Sequence, residues 1–180
     1  DFEQSVSEDR TAFLLAVSQL CARGSRRLYV PESYGPLLPL AHVLICTALS
    51  GGILQQRLED AVRRFGSGRL ALDLQRLRMD FPLPCPSGEG LSLTRESLGA
   101  LIAEKNPTVF YSSDLCARYF TCLQEKESHF ILFDDGGTIP RKIQAGNALG
   151  IPTGFLLYPE AEDVLPQLFS RQGNGSPQRS

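Results

Sequence analysis

The chain has 180 residues, a 42 % apolar share and a formal net charge of −2. That length suits one domain with a sizeable core, and a charge so near zero excludes whole-surface attraction to nucleic acid or membrane. It begins with Asp1 and ends in RQGNGSPQRS, and reads as a piece of a longer protein. The polar, acidic start is no signal peptide, and no apolar run reaches the roughly 20 residues of a membrane helix.

In chain order, residues 1–10 are expected to form a flexible N-terminal segment, residues 11–170 a single α/β domain, and residues 171–180 a disordered tail. Ser7 to Ala22 predicts a helix with Phe13, Leu14, Val17, Leu20 and Cys21 on its buried face, a Ser5/Glu8 capping box and a stop at Gly24. Arg27 to Val30 predicts a short strand, Leu37 to Leu49 a buried helix and Ile53 to Phe65 a second, amphipathic one. Arg69 to Phe81 fits either two short strands or a helix, with the flanking Gly-Ser-Gly and Pro-Leu-Pro favouring extended chain. Pro82 to Gly90 is a loop, and Thr94 caps a helix running through Ala103.

From Thr108 onward the pattern reads as strand (to Tyr111), helix (capped by Ser113 or Asp114, through Lys126), strand (Phe130 to Phe133), helix (Ile139 to Leu149), strand (Thr153 to Tyr158) and helix (Ala161 to Phe169). Such alternation predicts a three-layer α/β domain with a mostly parallel sheet flanked by helices. Ligands in such sheets sit beyond the C-terminal strand ends. Here that edge offers Ser112, Ser113, Asp114 and the turn Asp134, Asp135, Gly136, Gly137, Thr138.

That turn is the most informative stretch. A buried strand delivers two carboxylates, two glycines turn the chain, Thr138 can cap the next helix, and Pro140 is tolerated in its first turn. Arg141 and Lys142 project from the same turn. The candidate ligand-binding set is therefore Asp134, Asp135, Gly136, Gly137, Thr138, Arg141 and Lys142. No catalytic residue, metal site or cofactor is expected. Cys21, Cys46, Cys85, Cys116 and Cys122 have neither redox-pair nor zinc spacing and read as buried free thiols of a reducing intracellular compartment. His42 reads as a core histidine in a helix and His129 as a boundary residue.

Asp134 or Asp135, then Arg141, Lys142, Ile143 and Ala145, then Gly150-Ile151-Pro152, then Phe155, Leu156 and Leu157 together resemble the anticodon-binding domain of class II aminoacyl-tRNA synthetases. The resemblance covers about a third of the chain, and residues 1–105 carry no synthetase catalytic motif. It implies a non-catalytic module of a larger intracellular protein, binding RNA or a protein partner away from membranes. A second reading sees a phosphoribosyltransferase-like enzyme, with Asp134 and Asp135 holding ribose hydroxyls and backbone amides cradling phosphate. A third sees a Toll-like signalling interaction domain. Arg57, Arg63, Arg64, Arg69, Arg76 and Arg78 could form a phosphate-binding face, although interleaved Glu59, Asp60, Asp73 and Asp80 make a mixed solvated surface the default.

Overall fold

A computed structural model describes residues 6–158 and 160–170. The tail expected at 171–180 lies outside them, as does the capping role given to Ser5. The chain divides into two compact units, interleaved in sequence.

The first unit is built, among the described residues, from 6–47, 55–74 and 143–155. Its centre is a parallel sheet in the order β1 (Tyr29–Pro31), β2 (His42–Cys46), β3 (Leu70–Asp73) and β9 (Gly154–Phe155). Val43 and Ile45 are buried on one face of β2, while His42, Leu44 and Cys46 are half-buried on the other. Here the expected helix over 37–49 gives way to a strand. A short apolar run cannot declare its period, and β-branched Val43 and Ile45 settle into the ladder with β1 and β3. The connection from β2 to β3 carries α2 (Leu54–Phe65), which buries Leu58, Ala61 and Phe65 at helical spacing.

Helix α1 (Glu8–Arg23) is capped by Ser7, whose side chain accepts a hydrogen bond from the Arg10 amide. Its buried stripe runs through Leu14 and Ser18. Leu14 joins a core with Val30, Tyr34, Leu38 and Ala41, whereas Phe13 and Leu20, expected inside, are each 65 % exposed. Arg69 closes the 35–41 turn, donating to the carbonyls of Gly35, Leu38 and Ala41.

The second unit comprises, of the described residues, 48–54, 75–142, 156–158 and 160–170. Its antiparallel sheet has the order β5 (Leu91–Ser92), β4 (Arg78–Leu83), β8 (Glu127–Phe133), β7 (Ala117–Gln124) and β6 (Phe110–Ser112). Residues 69–81 thus take the extended option, split between β3 and β4. The helix expected over 113–126 is a correction: that segment forms β7, hairpinned onto β8. Glu125 and Lys126 both adopt positive φ, the geometry of a two-residue hairpin turn normally announced by Asn-Gly. Without that signal, the helical spacing of Cys116, Tyr119 and Leu123 misleads. The sheet is consequently mixed in the chain as a whole, one sheet parallel and one antiparallel, rather than mostly parallel.

Alternation along β7 and β8 gives this sheet two apolar faces. Phe120, Ile131 and Phe133 pack under Leu98 and Leu101 of α3 (Arg95–Lys105), a helix capped by Thr94 and closed by Asn106 in the left-handed region. Phe81, Ala117 and Leu132 face the other way with Tyr119 and Phe130. Helix α4 (Thr138–Ala148) follows β8, and α5 (Leu165–Ser170) is shorter than the helix expected over 161–169. No described helix is long and apolar enough to cross a membrane.

Candidate functional site

The end of β8 places the two acidic residues of the expected ligand turn very differently. Asp134 Oδ2 accepts from the Leu77 amide at 2.9 Å and from Lys142 Nζ at 2.7 Å, and its Oδ1 accepts from Thr138 Oγ1 at 2.7 Å. The Asp134 and Lys142 side chains are both completely buried. An ion pair so enclosed, with its remaining lone pairs filled by an amide and a hydroxyl, is a strut from strand end to helix start. Enclosed as they are, neither side chain of the pair is open to solvent.

Asp135 performs the capping expected of Thr138. Its Oδ1 accepts from the Gly137 and Thr138 amides at 2.8 and 2.9 Å, and its Oδ2 accepts from Arg118 Nε at 2.9 Å. Thr138 Oγ1 in turn accepts from the Asp135 amide. Gly136 and Gly137 form the turn itself. One step along α4 is about 100° of rotation, so Lys142 points inward while its neighbour Arg141 is exposed. The Arg141 guanidinium lies 5.0 Å from the centroid of the Tyr111 ring, and that of Arg118 lies 5.4 Å from the same ring. Tyr111 donates its hydroxyl to Cys116 Sγ at 3.4 Å. Burial first, and then this partner, push the Tyr111 hydroxyl above the usual phenol range. Of the seven expected residues, the turn gathers Asp134, Asp135, Thr138 and Lys142 into one network, while Arg141 stands outside it beside Tyr111.

Most of the arginine series is paired with carboxylates, in keeping with a mixed surface. Arg57 and Arg64 both pair with Glu32, Arg63 with Asp60, Arg76 with Asp163, and Arg78 with Glu160. One pairing escaped the sequence reading. His129 Nδ1 lies 2.8 Å from Asp80 Oδ1, and Gln124 Nε2 donates to Asp80 Oδ2. The pair joins β4 to β8, 49 positions apart, so no local spacing could reveal it. All five cysteines are free thiols, and no cluster of metal-ligating side chains occurs among the described residues.

A second feature is legible only in three dimensions. On the face of the antiparallel sheet opposite α3, Phe110 stacks on Tyr119 at 5.5 Å, Tyr119 meets Phe130 at 5.4 Å, and Phe130 meets Phe81 at 6.2 Å. The row crosses four strands. Its outer end is open, with Phe110 half exposed. Phe81 is buried and Tyr119 and Phe130 are half-buried against the core, so the row runs from the interior of the sheet to an exposed edge at Phe110.

No family model matches the chain, and no curated protein matches it in sequence. Solved structures do match. A chitinase from Chromobacterium violaceum superposes with a TM-score of 0.65 at 15 % identity, over 92 % of this chain and 61 % of that one. The spore cortex-lytic enzyme SleL of Bacillus megaterium gives 0.61 at 19 %, over 82 % and 41 %. A class V chitinase from Nicotiana tobaccum gives 0.55 at 13 %, over 85 % and 60 %. The chain therefore spans about half the length of these enzymes. The matches overturn the resemblance to an anticodon-binding domain, and with it the RNA- or protein-binding module. The phosphoribosyltransferase-like and Toll-like alternatives find no support among them either. What this chain shares with chitinases and spore cortex-lytic enzymes, at identities this low, is their fold.

Proposed function

We propose that this chain belongs to a glycan-processing protein of the chitinase fold, and that it grips a chitin-type amino-sugar polymer along the row Phe110, Tyr119 and Phe130. The carrying observation is the fold likeness over 92 % of the chain to a chitinase. Support of a different kind comes from the tobacco enzyme, a mutant of which was solved in complex with NAG4. Pyranose rings present axial C–H groups to aromatic faces, and rings about 5.5 Å apart offer the continuous surface that a linear oligomer needs.

Glycoside cleavage also calls for a carboxyl group free to donate a proton to the leaving oxygen. Asp134 and Asp135 have every carboxylate oxygen engaged by donors, and Asp80 is held by His129 and Gln124. With these three carboxylates so held, a second reading is a glycan-binding role without hydrolysis, the other acidic residues of the chain being the remaining candidates for a proton donor.

The test is calorimetric titration of the full-length protein with a tetramer of N-acetylglucosamine, together with an assay of released reducing ends. Binding with release supports a hydrolase, and binding without release supports the second reading. A protein that binds neither this tetramer nor chitin beads refutes both.

A further inference from the structure

We propose that Tyr111, Arg118 and Arg141 form a carboxylate-binding site, so that the glycan taken by this protein carries an acidic sugar. The acidic-sugar part rests on the glycan reading above; the anion site does not.

The register of β6 on β7 sets Tyr111 opposite Arg118. The first turn of α4 brings Arg141 to the same ring, so two guanidinium groups lie 5.4 and 5.0 Å from one centroid. Two like charges around one ring repel each other, and an anion beside them relieves that repulsion. Asp135 compensates Arg118 through its Nε, leaving that guanidinium's other donors outside the ion pair. Arg141 has no carboxylate within ion-pair distance among the described residues. Two cations and one carboxylate leave a surplus of one positive charge. A neutral Tyr111 hydroxyl, engaged with Cys116, does nothing to cancel it.

Accessibility and chemistry agree with this reading. Arg141 is exposed and the Arg118 side chain is 35 % exposed, so a ligand can reach both. The ion pair with Asp135 and the aromatic face hold Arg118 in place, and the ring steadies Arg141, which lowers the cost of ordering them around a ligand. Guanidinium is planar and donates in pairs, which matches a carboxylate in shape, and a surplus of one charge matches a monoanion.

The experiment follows the arginine Nε–Hε NMR signals while glucuronate, or glucose as its neutral counterpart, is added at constant ionic strength. Glucuronate is expected to shift the Arg118 and Arg141 signals, with glucose leaving them in place. Arg141→Gln should weaken glucuronate binding about tenfold, the scale of one charge-assisted hydrogen bond. Arg141→Lys should fall between. Unmoved arginine signals, equal shifts with glucose, or an Arg141→Gln variant of unchanged affinity would each overturn the site. Arginine-dependent binding of glucuronate by a protein that ignores the tetramer would uphold the site and reject the chitin-type ligand alone.

Discussion

Lys142 Nζ stands 2.7 Å from Asp134 Oδ2, eight residues back along the chain, and neither side chain reaches solvent. The bond ties the end of β8 to the first turn of α4, and Thr138 and the Leu77 amide complete the acid's coordination. Removing one partner alone strands the other in the interior. Lys142→Met should therefore cost about 3–5 kcal/mol. The double variant Asp134→Asn with Lys142→Met should recover much of that loss, because no uncompensated charge remains. Urea denaturation of both variants decides it; equal losses would show that the helix stem of Lys142 matters and its charge does not.

Two helical glycines should respond oppositely to alanine. A Cβ on Gly146 of α4 would come within 2.6 Å of Leu72 Cδ1 in the core of the first unit. Overpacking of this kind costs about 1–3 kcal/mol, more than the helix propensity regained. Gly99 of α3 has open space around the same position, so Gly99→Ala should stabilise by about 0.5–1 kcal/mol. Denaturation midpoints measured side by side would expose a wrong sign in either.

His42 sets an acid limit. Burial first, then the charges of Arg27 and Arg69, lower its pKa from 6.5. Its Nδ1 is buried with no hydrogen-bond partner. Between the lowered folded value and 6.5, the unfolded chain binds more protons than the folded one, so stability rises with pH across that window. The contribution is complete above about pH 6.5 and is lost as pH falls toward the folded value. Thermal melts at pH 5 and pH 7.5 should differ less in His42→Phe than in the unaltered protein, and an identical pH dependence would remove His42 from the account.

The aromatic row should matter to ligand and little to fold at its open end. Phe110→Ala, at the exposed end, should weaken binding of the N-acetylglucosamine tetramer by about 1 kcal/mol, with a thermal midpoint near the original. Tyr119→Ala removes the central ring and should weaken binding further, with some loss of stability because it packs against Phe130. Calorimetry showing full affinity in both would take the row out of the proposed function.

The sequence alone determined the parts governed by neighbouring residues. The helix capped by Thr94, the helical stretch from Ser7 (whose cap is Ser7 itself, not the expected Ser5), the amphipathic α2, the strand-to-helix turn around Asp134 and Asp135 and the breaks at proline and glycine all follow from local sterics and capping chemistry. It grouped Asp134, Asp135, Gly136, Gly137, Thr138, Arg141 and Lys142 as one candidate set, while leaving open what each one touches.

Tertiary structure decided the rest. Whether the apolar runs at 42–46 and 117–124 became strands depended on partners far along the chain, since β-propensity is largely a preference for fitting a pleated surface. Whether Lys142 would face a ligand or the interior depended on the rotation of α4 relative to Asp134. The aromatic row and the Asp80–His129 pair join residues on different strands, and cross-strand proximity is a property of register that no single stretch of sequence contains.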